Sequence, residues 1–145
     1  MTKFTNGTGL YQILNPQAGG AAMGLTGADT GGHGVAVGLV SPGEGSGQLW
    51  IVDVFDSDVN LTNYETNTML ILGGTGQKGD PVVCGGGETY GALGWSFDGD
   101  ADEESTVLVP DFVHELAVAP AGPDYALRLV DNTGEGTQLW RFVRV

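Results

Sequence analysis

The three tryptophans of this 145-residue chain, Trp50, Trp95 and Trp140, stand 45 residues apart. Their settings are alike: Gly47-Gln48-Leu49-Trp50-Ile51-Val52, Gly91-Ala92-Leu93-Gly94-Trp95-Ser96-Phe97 and Thr137-Gln138-Leu139-Trp140-Arg141-Phe142. A unit that recurs at fixed spacing and cannot bury its apolar face alone must share a core with its copies. The period therefore calls for three equivalent units, read as approximately 8–55, 56–100 and 101–145 of one domain spanning 1–145.

Each unit ends in the same way. Thirteen residues before each Trp stands an aliphatic residue, Val37, Val82 or Leu127, within an apolar run (35–40, 81–84 and 125–130). A polar, glycine-containing loop follows (41–47, 85–91 and 131–137), and then the Trp segment. This is a strand, a turn and a strand. The front of each unit reads as a second hairpin, from segments 10–14 with 22–25, 59–64 with 69–72, and 106–109 with 113–118. Four strands per unit make twelve.

The 26 glycines agree with that reading. Glycine disfavours helix interiors and supplies the positive φ of tight turns, and no window shows the i, i+3, i+4, i+7 apolar spacing of an amphipathic helix. Short strands with closely spaced turns indicate an all-β sandwich or barrel. Threefold repetition selects the β-trefoil, a six-stranded barrel capped by three hairpins, whose closure leaves no exposed sheet edge. At this length roughly 70% of the unfolded surface is buried without disulfides. The one cysteine, Cys84, lies in an apolar strand and reads as a small buried hydrophobe.

Eighteen acidic side chains against five basic ones give a net charge of −13. Such a surface repels phosphate backbones and anionic membranes, so neither nucleic acid nor membrane insertion is expected. No basic segment leading into an apolar one opens the sequence, which places the protein in the cytoplasm as an expectation. Sequons at Asn6 and Asn60 bear only on a secreted protein.

Two motif-like strings dissolve on inspection. Gly74-Thr75-Gly76-Gln77-Lys78-Gly79 matches a dinucleotide fingerprint, but Asp80-Pro81-Val82-Val83 follows where a helix must open, so a hairpin loop is the reading. The acidic segment 98–104 alternates carboxylates like the start of a calcium loop. It has Glu103 at the glycine position and Val109 at the closing acid, so it reads as a solvated connector. His33 and His114 have no nucleophile motif beside them. No cofactor, no metal and no catalytic residues are expected.

The Gln48-Leu49-Trp50 and Gln138-Leu139-Trp140 triplets resemble the Q-x-W signature of ricin-B-like β-trefoil proteins, with Leu93 replacing the glutamine in the second unit. The glycine-rich, acidic character and the opening Gly9-Leu10-Tyr11-Gln12-Ile13 are similar to small fungal members. The resemblance implies a lectin-like, non-enzymatic protein in which Trp50, Trp95, Trp140, Gln48 and Gln138 are structural. A typical galactose-binding unit of that group carries an Asp, an aromatic ring and an Asn. Counting back from each Trp places those positions at Met23, Gly38 and Gly47, then Thr68, Val83 and Ala92, then Val113, Arg128 and Thr137. No unit keeps the set, so galactose is not the expected sugar, and mannose or an extended glycan is the nearer candidate. Tyr90 and Glu88, with His114, Asp131 and Asn132, are the candidate contacts for carbohydrate or a protein partner. Two alternatives stay open. One is a lectin-like subunit beside a larger enzyme, as in the tyrosinase light subunits. The other is a mycocypin-like cysteine-proteinase inhibitor using a loop with Asn15, Pro16, Gly19 and Gly20.

Overall fold

In a computed structural model of the chain, the described residues are 8–26, 34–43, 46–55, 58–85, 94–98, 105–121 and 125–145. They form twelve strands: β1 (Gly9–Asn15), β2 (Ala21–Leu25), β3 (Val35–Val40), β4 (Leu49–Phe55), β5 (Asp58–Asn63), β6 (Met69–Leu72), β7 (Val82–Gly85), β8 (Trp95–Asp98), β9 (Thr106–Pro110), β10 (Leu116–Pro120), β11 (Leu127–Asp131) and β12 (Leu139–Arg144). Among the described residues no helix is long and apolar enough to cross a membrane.

Strands β1, β4, β5, β8, β9 and β12 pair in a closed antiparallel ring, with β12 returning to β1. Alternation makes the ring possible. In β1, Tyr11, Ile13 and Asn15 point inward, and in β5, Val59, Leu61 and Asn63 do so, as a pleated strand with one buried face requires. Three further pairs, β2–β3, β6–β7 and β10–β11, cap one end of the ring. They meet one another through β3–β7 pairing and through bridges from Gly38 to Ala126 and from Pro81 to Arg128. The architecture is the β-trefoil, twelve strands in three pseudo-symmetric repeats.

Each tryptophan links barrel to cap. All three are buried, and their indole Nε1–H groups donate to the carbonyls of Met23 on β2 (2.9 Å), Leu70 on β6 (2.9 Å) and Val118 on β10 (3.1 Å). A buried indole N–H requires such an acceptor. Edge-to-face contacts add to the core, with Phe142 packed 6.2 Å from Tyr11 and 5.6 Å from Phe97 between ring centroids.

Most element boundaries differ from the sequence reading by a residue or two, and three differences have a local cause. The strand expected over 113–118 is β10 at Leu116–Pro120, because residues 111–115 turn, with Val113 N–H closing onto the Pro110 carbonyl at 3.1 Å. Tyr64 leaves β5 for a turn that begins at Asn63. Tyr125 precedes β11 with φ of 59°, outside any extended conformation.

Candidate functional site

The loops entering the Trp strands are held by glutamine. Gln48 Nε2 donates to the Ser41 carbonyl at 2.6 Å while its Oε1 accepts from the Gly43 N–H at 2.8 Å. Gln138 repeats the clamp in the third unit, donating to the Asp131 carbonyl at 2.6 Å and accepting from the Thr133 and Gly134 N–H groups. A side-chain amide that takes up both donor and acceptor groups of a loop fixes its shape without a strand ladder. Asn15 and Asn63 complete the device. Their amides donate to the carbonyls just ahead of the two glutamines, those of Thr137 and Gly47, at 2.9 and 3.0 Å. The sequence reading missed this pair, although an Asn closing an alternating strand in both the first and second units was visible.

The tryptophan acceptors give the register of the three units against one another. Met23, Leu70 and Val118 are equivalent, lying 27, 25 and 22 residues before their Trp. Thr68 and Val113 therefore do not match Met23. Met23 itself is buried in the core, and the neighbouring position, where a side chain would point at the clamped loop, is Gly24. A Cβ there would lie 2.8 Å from Val40 Cγ2 and 3.3 Å from the Gly47 carbonyl oxygen. Gly24 pairs with Gly38, Ile71 with Val83, and Ala119 with Arg128. No carboxylate stands at the position in any unit, and the Arg128 guanidinium donates to the Gly79 carbonyl at 2.8 Å.

The third-unit candidates come together, chiefly in scaffold contacts. Asn132 Nδ2 donates to Asp98 at 2.8 Å and to the His114 carbonyl at 3.1 Å, and its Oδ1 accepts the Gly134 N–H. Asp131 pairs with Lys78 at 2.7 Å, both exposed. The His114 ring lies 3.1 Å from the Asp111 carbonyl. Ser96 is buried, and its hydroxyl faces the carboxylates of Asp111 and Asp58 rather than His114. Glu88, Tyr90 and His33 lie outside the described residues, as do residues 99–104 of the acidic segment.

The 15–20 loop projects. Pro16 opens a 3-10 turn (Pro16–Ala18), Gly19 and Gly20 follow with φ of 70° and 80°, and a Cβ at either would meet nothing within 4 Å. Asn15, by contrast, is buried at the root of the loop. The Gly74-Thr75-Gly76 segment is the β6–β7 turn, where the Asp80 carboxylate accepts the Gly76 and Gln77 N–H groups. Burial pushes the Cys84 thiol up to about 12, against a smaller opposing hydrogen bond from Thr68.

One depression opens beside these loops. It measures about 530 Å³ and is bordered by Ala18, Gly19, Leu39, Val40, Pro42 and Tyr125, with Ser41 on its wall. Tyr125 is 67% exposed. Left-handed backbone at a residue with a Cβ costs about 1–2 kcal/mol, so the surrounding chain must impose it. The next residue, Ala126, bridges to Gly38, and glycine at 38 is needed there because a Cβ would come within 2.9 Å of the Tyr125 carbonyl oxygen.

No family model matches the sequence, and no curated protein matches it either. Solved structures do. The Rhizoctonia solani agglutinin superposes with a TM-score of 0.77 at 16% identity, over 95% of this chain and 96% of that one. The Macrolepiota procera ricin B-like lectin, solved with lactose, gives 0.76 at 20% identity, over 96% and 97%. The designed threefold-symmetric protein ThreeFoil gives 0.73 at 19% identity, over 94% and 99%. At these identities the likeness is one of fold.

Proposed function

We propose that this protein is a lectin-like, non-enzymatic β-trefoil that binds carbohydrate through its clamped loops and does not use an acid-bearing galactose pocket. The observation that carries the reading is the pair of glutamine clamps at Gln48 and Gln138, which hold loop rims in fixed shape on a fold shared with an agglutinin and a ricin B-like lectin. A rigid rim recognises sugar hydroxyls without an ordering penalty at the moment of binding. The Macrolepiota procera lectin was solved with lactose, but Gly24, Ile71 and Ala119 supply no carboxylate for a galactose hydroxyl. Mannose or an extended neutral glycan fits better than galactose. A glycan array tests the reading: binding to neutral, non-galactose glycans supports it, and a blank array rejects it.

A second reading rests on the 15–20 loop. Its exposed Pro16, Gln17 and Gly19 and the open space around Gly19 and Gly20 suit insertion into a protein cleft. Inhibition of a papain-like protease, abolished by shortening the loop, would establish that reading in place of the first.

A further inference from the structure

We infer that the depression at Tyr125 is the saccharide subsite, and that it takes a neutral pyranose with its C–H face laid on the Tyr125 ring. The inference rests on the carbohydrate-binding reading above and names where, and to what class of sugar, that binding occurs.

Several observations converge on this place. The ring is presented outward at 67% exposure by a backbone conformation with φ of 59°, which a side chain seeking its own core would not require. Strain held at an exposed aromatic is the kind of feature that function retains. The wall beside it is apolar, made by Ala18, Ala21, Leu39, Val40 and Pro42, and it matches the C–H patches that a pyranose offers between its hydroxyls. The aromatic ring and that wall provide the hydrophobic part of recognition, as Tyr does where one end of a side chain is apolar and the other wet.

Polar groups stand at the edge. Ser41 is exposed and lines the depression, and its carbonyl is gripped by Gln48, so the hydroxyl rides on a fixed backbone. The Tyr125 phenol is a second donor and acceptor. Among the described residues the lining holds no charged side chain, and the chain carries a net charge of −13. A sialylated or sulfated sugar would find no cation among those residues and would meet a repelling field. A volume of about 530 Å³ falls within the range of small-molecule sites and leaves room for more than one ring.

The site differs from the pattern implied by resemblance. That pattern draws its acid, ring and amide from one unit, whereas here the ring comes from the segment entering β11 in the third unit and the wall from the first unit. Gly38 is where the two meet, through its bridge to Ala126.

The test uses the whole protein, titrated by calorimetry with neutral oligosaccharides of mannose, glucose and N-acetylglucosamine, alongside the Tyr125→Gly and Tyr125→Phe variants. Glycine accepts the left-handed backbone, so Tyr125→Gly should keep the wild-type melting temperature while weakening binding by about tenfold. Tyr125→Phe should keep most of the affinity. Amide chemical shifts of Leu39, Val40, Ser41 and Tyr125 in the wild-type protein should move on addition of the oligosaccharide that binds, a readout independent of any variant's folding. Sugar binding that Tyr125→Gly leaves intact, or shifts confined to another loop, overturns the assignment of the site and leaves the lectin reading standing. Failure of every oligosaccharide to bind the wild-type protein overturns both.

Discussion

The side-chain amide of Asn15 donates to the carbonyl of Thr137 at 2.9 Å, tying the end of the first strand to the residue ahead of the third-unit glutamine. Asn63 makes the same bond to Gly47 and goes further, because its Oδ1 accepts the Glu65 N–H at 3.0 Å and the Thr66 N–H at 3.3 Å. Asn15 Oδ1 is buried and meets no donor. Its chain continues into Pro16, which has no N–H, and a 3-10 turn. Pro110 takes the third equivalent place, opposite Trp95 as Asn63 is opposite Trp50.

Unequal bonding predicts unequal loss. Asn15→Ala removes one bond and should destabilise by about 1–2 kcal/mol, whereas Asn63→Ala strands three backbone groups and should reach about 3 kcal/mol. Urea unfolding of the two variants measures the difference. Equal losses would contradict the assigned roles.

Truncating any one of Trp50, Trp95 or Trp140 to Ala should cost about 3–5 kcal/mol, the range for large-to-small changes in a core. Trp95→Phe should fall below that. It keeps a ring but leaves the Leu70 carbonyl unbonded, a loss of about 1–3 kcal/mol. Thermal unfolding of the four variants ranks them.

Gln138→Ala should act locally. The Thr133 N–H and the Asp131 carbonyl lose their partner while the Gly134 N–H keeps Asn132 Oδ1, so hydrogen exchange at residue 133 should accelerate most while the barrel amides stay protected. Acceleration across the barrel would show that the clamp supports the fold rather than the rim.

Cys84 should resist thiol reagents at pH 8 until the protein unfolds, since burial holds the thiol near 12 and the thiolate is the reactive form. The sign of its linkage follows from the raised value. Below about 9, the ordinary value, both states keep the proton and nothing changes. From about 9 to about 12 only the unfolded chain ionises, so stability contributed by this group falls as pH rises. Cys84→Ser, compared with wild type across that window, should flatten this part of the decline.

The tryptophan period makes the threefold barrel legible in the sequence, and β3 and β6 fall where their apolar runs stand. Register was harder. Turns of different length between the front strands put the Trp acceptors 27, 25 and 22 residues upstream, so a fixed count reached Thr68 and Val113 instead of Leu70 and Val118. The exposed ring at Tyr125 was hidden because its sequence neighbourhood, Tyr125-Ala126-Leu127, alternates like a strand. Tyr125 has a left-handed backbone, and the residue after it, Ala126, bridges to Gly38, 88 positions earlier, a contact that no local pattern encodes. Asn132 illustrates the converse. A polar loop residue looks free for ligand in sequence, yet its amide is occupied by Asp98, His114 and Gly134.

Titration calorimetry with lactose and with a mannose oligosaccharide, run on the unmodified protein, tests the central claim most directly. Carbohydrate binding without an acid at Gly24, Ile71 or Ala119 predicts heat and saturation with the mannose ligand and none with lactose. Saturable lactose binding, or silence with both sugars, would contradict it.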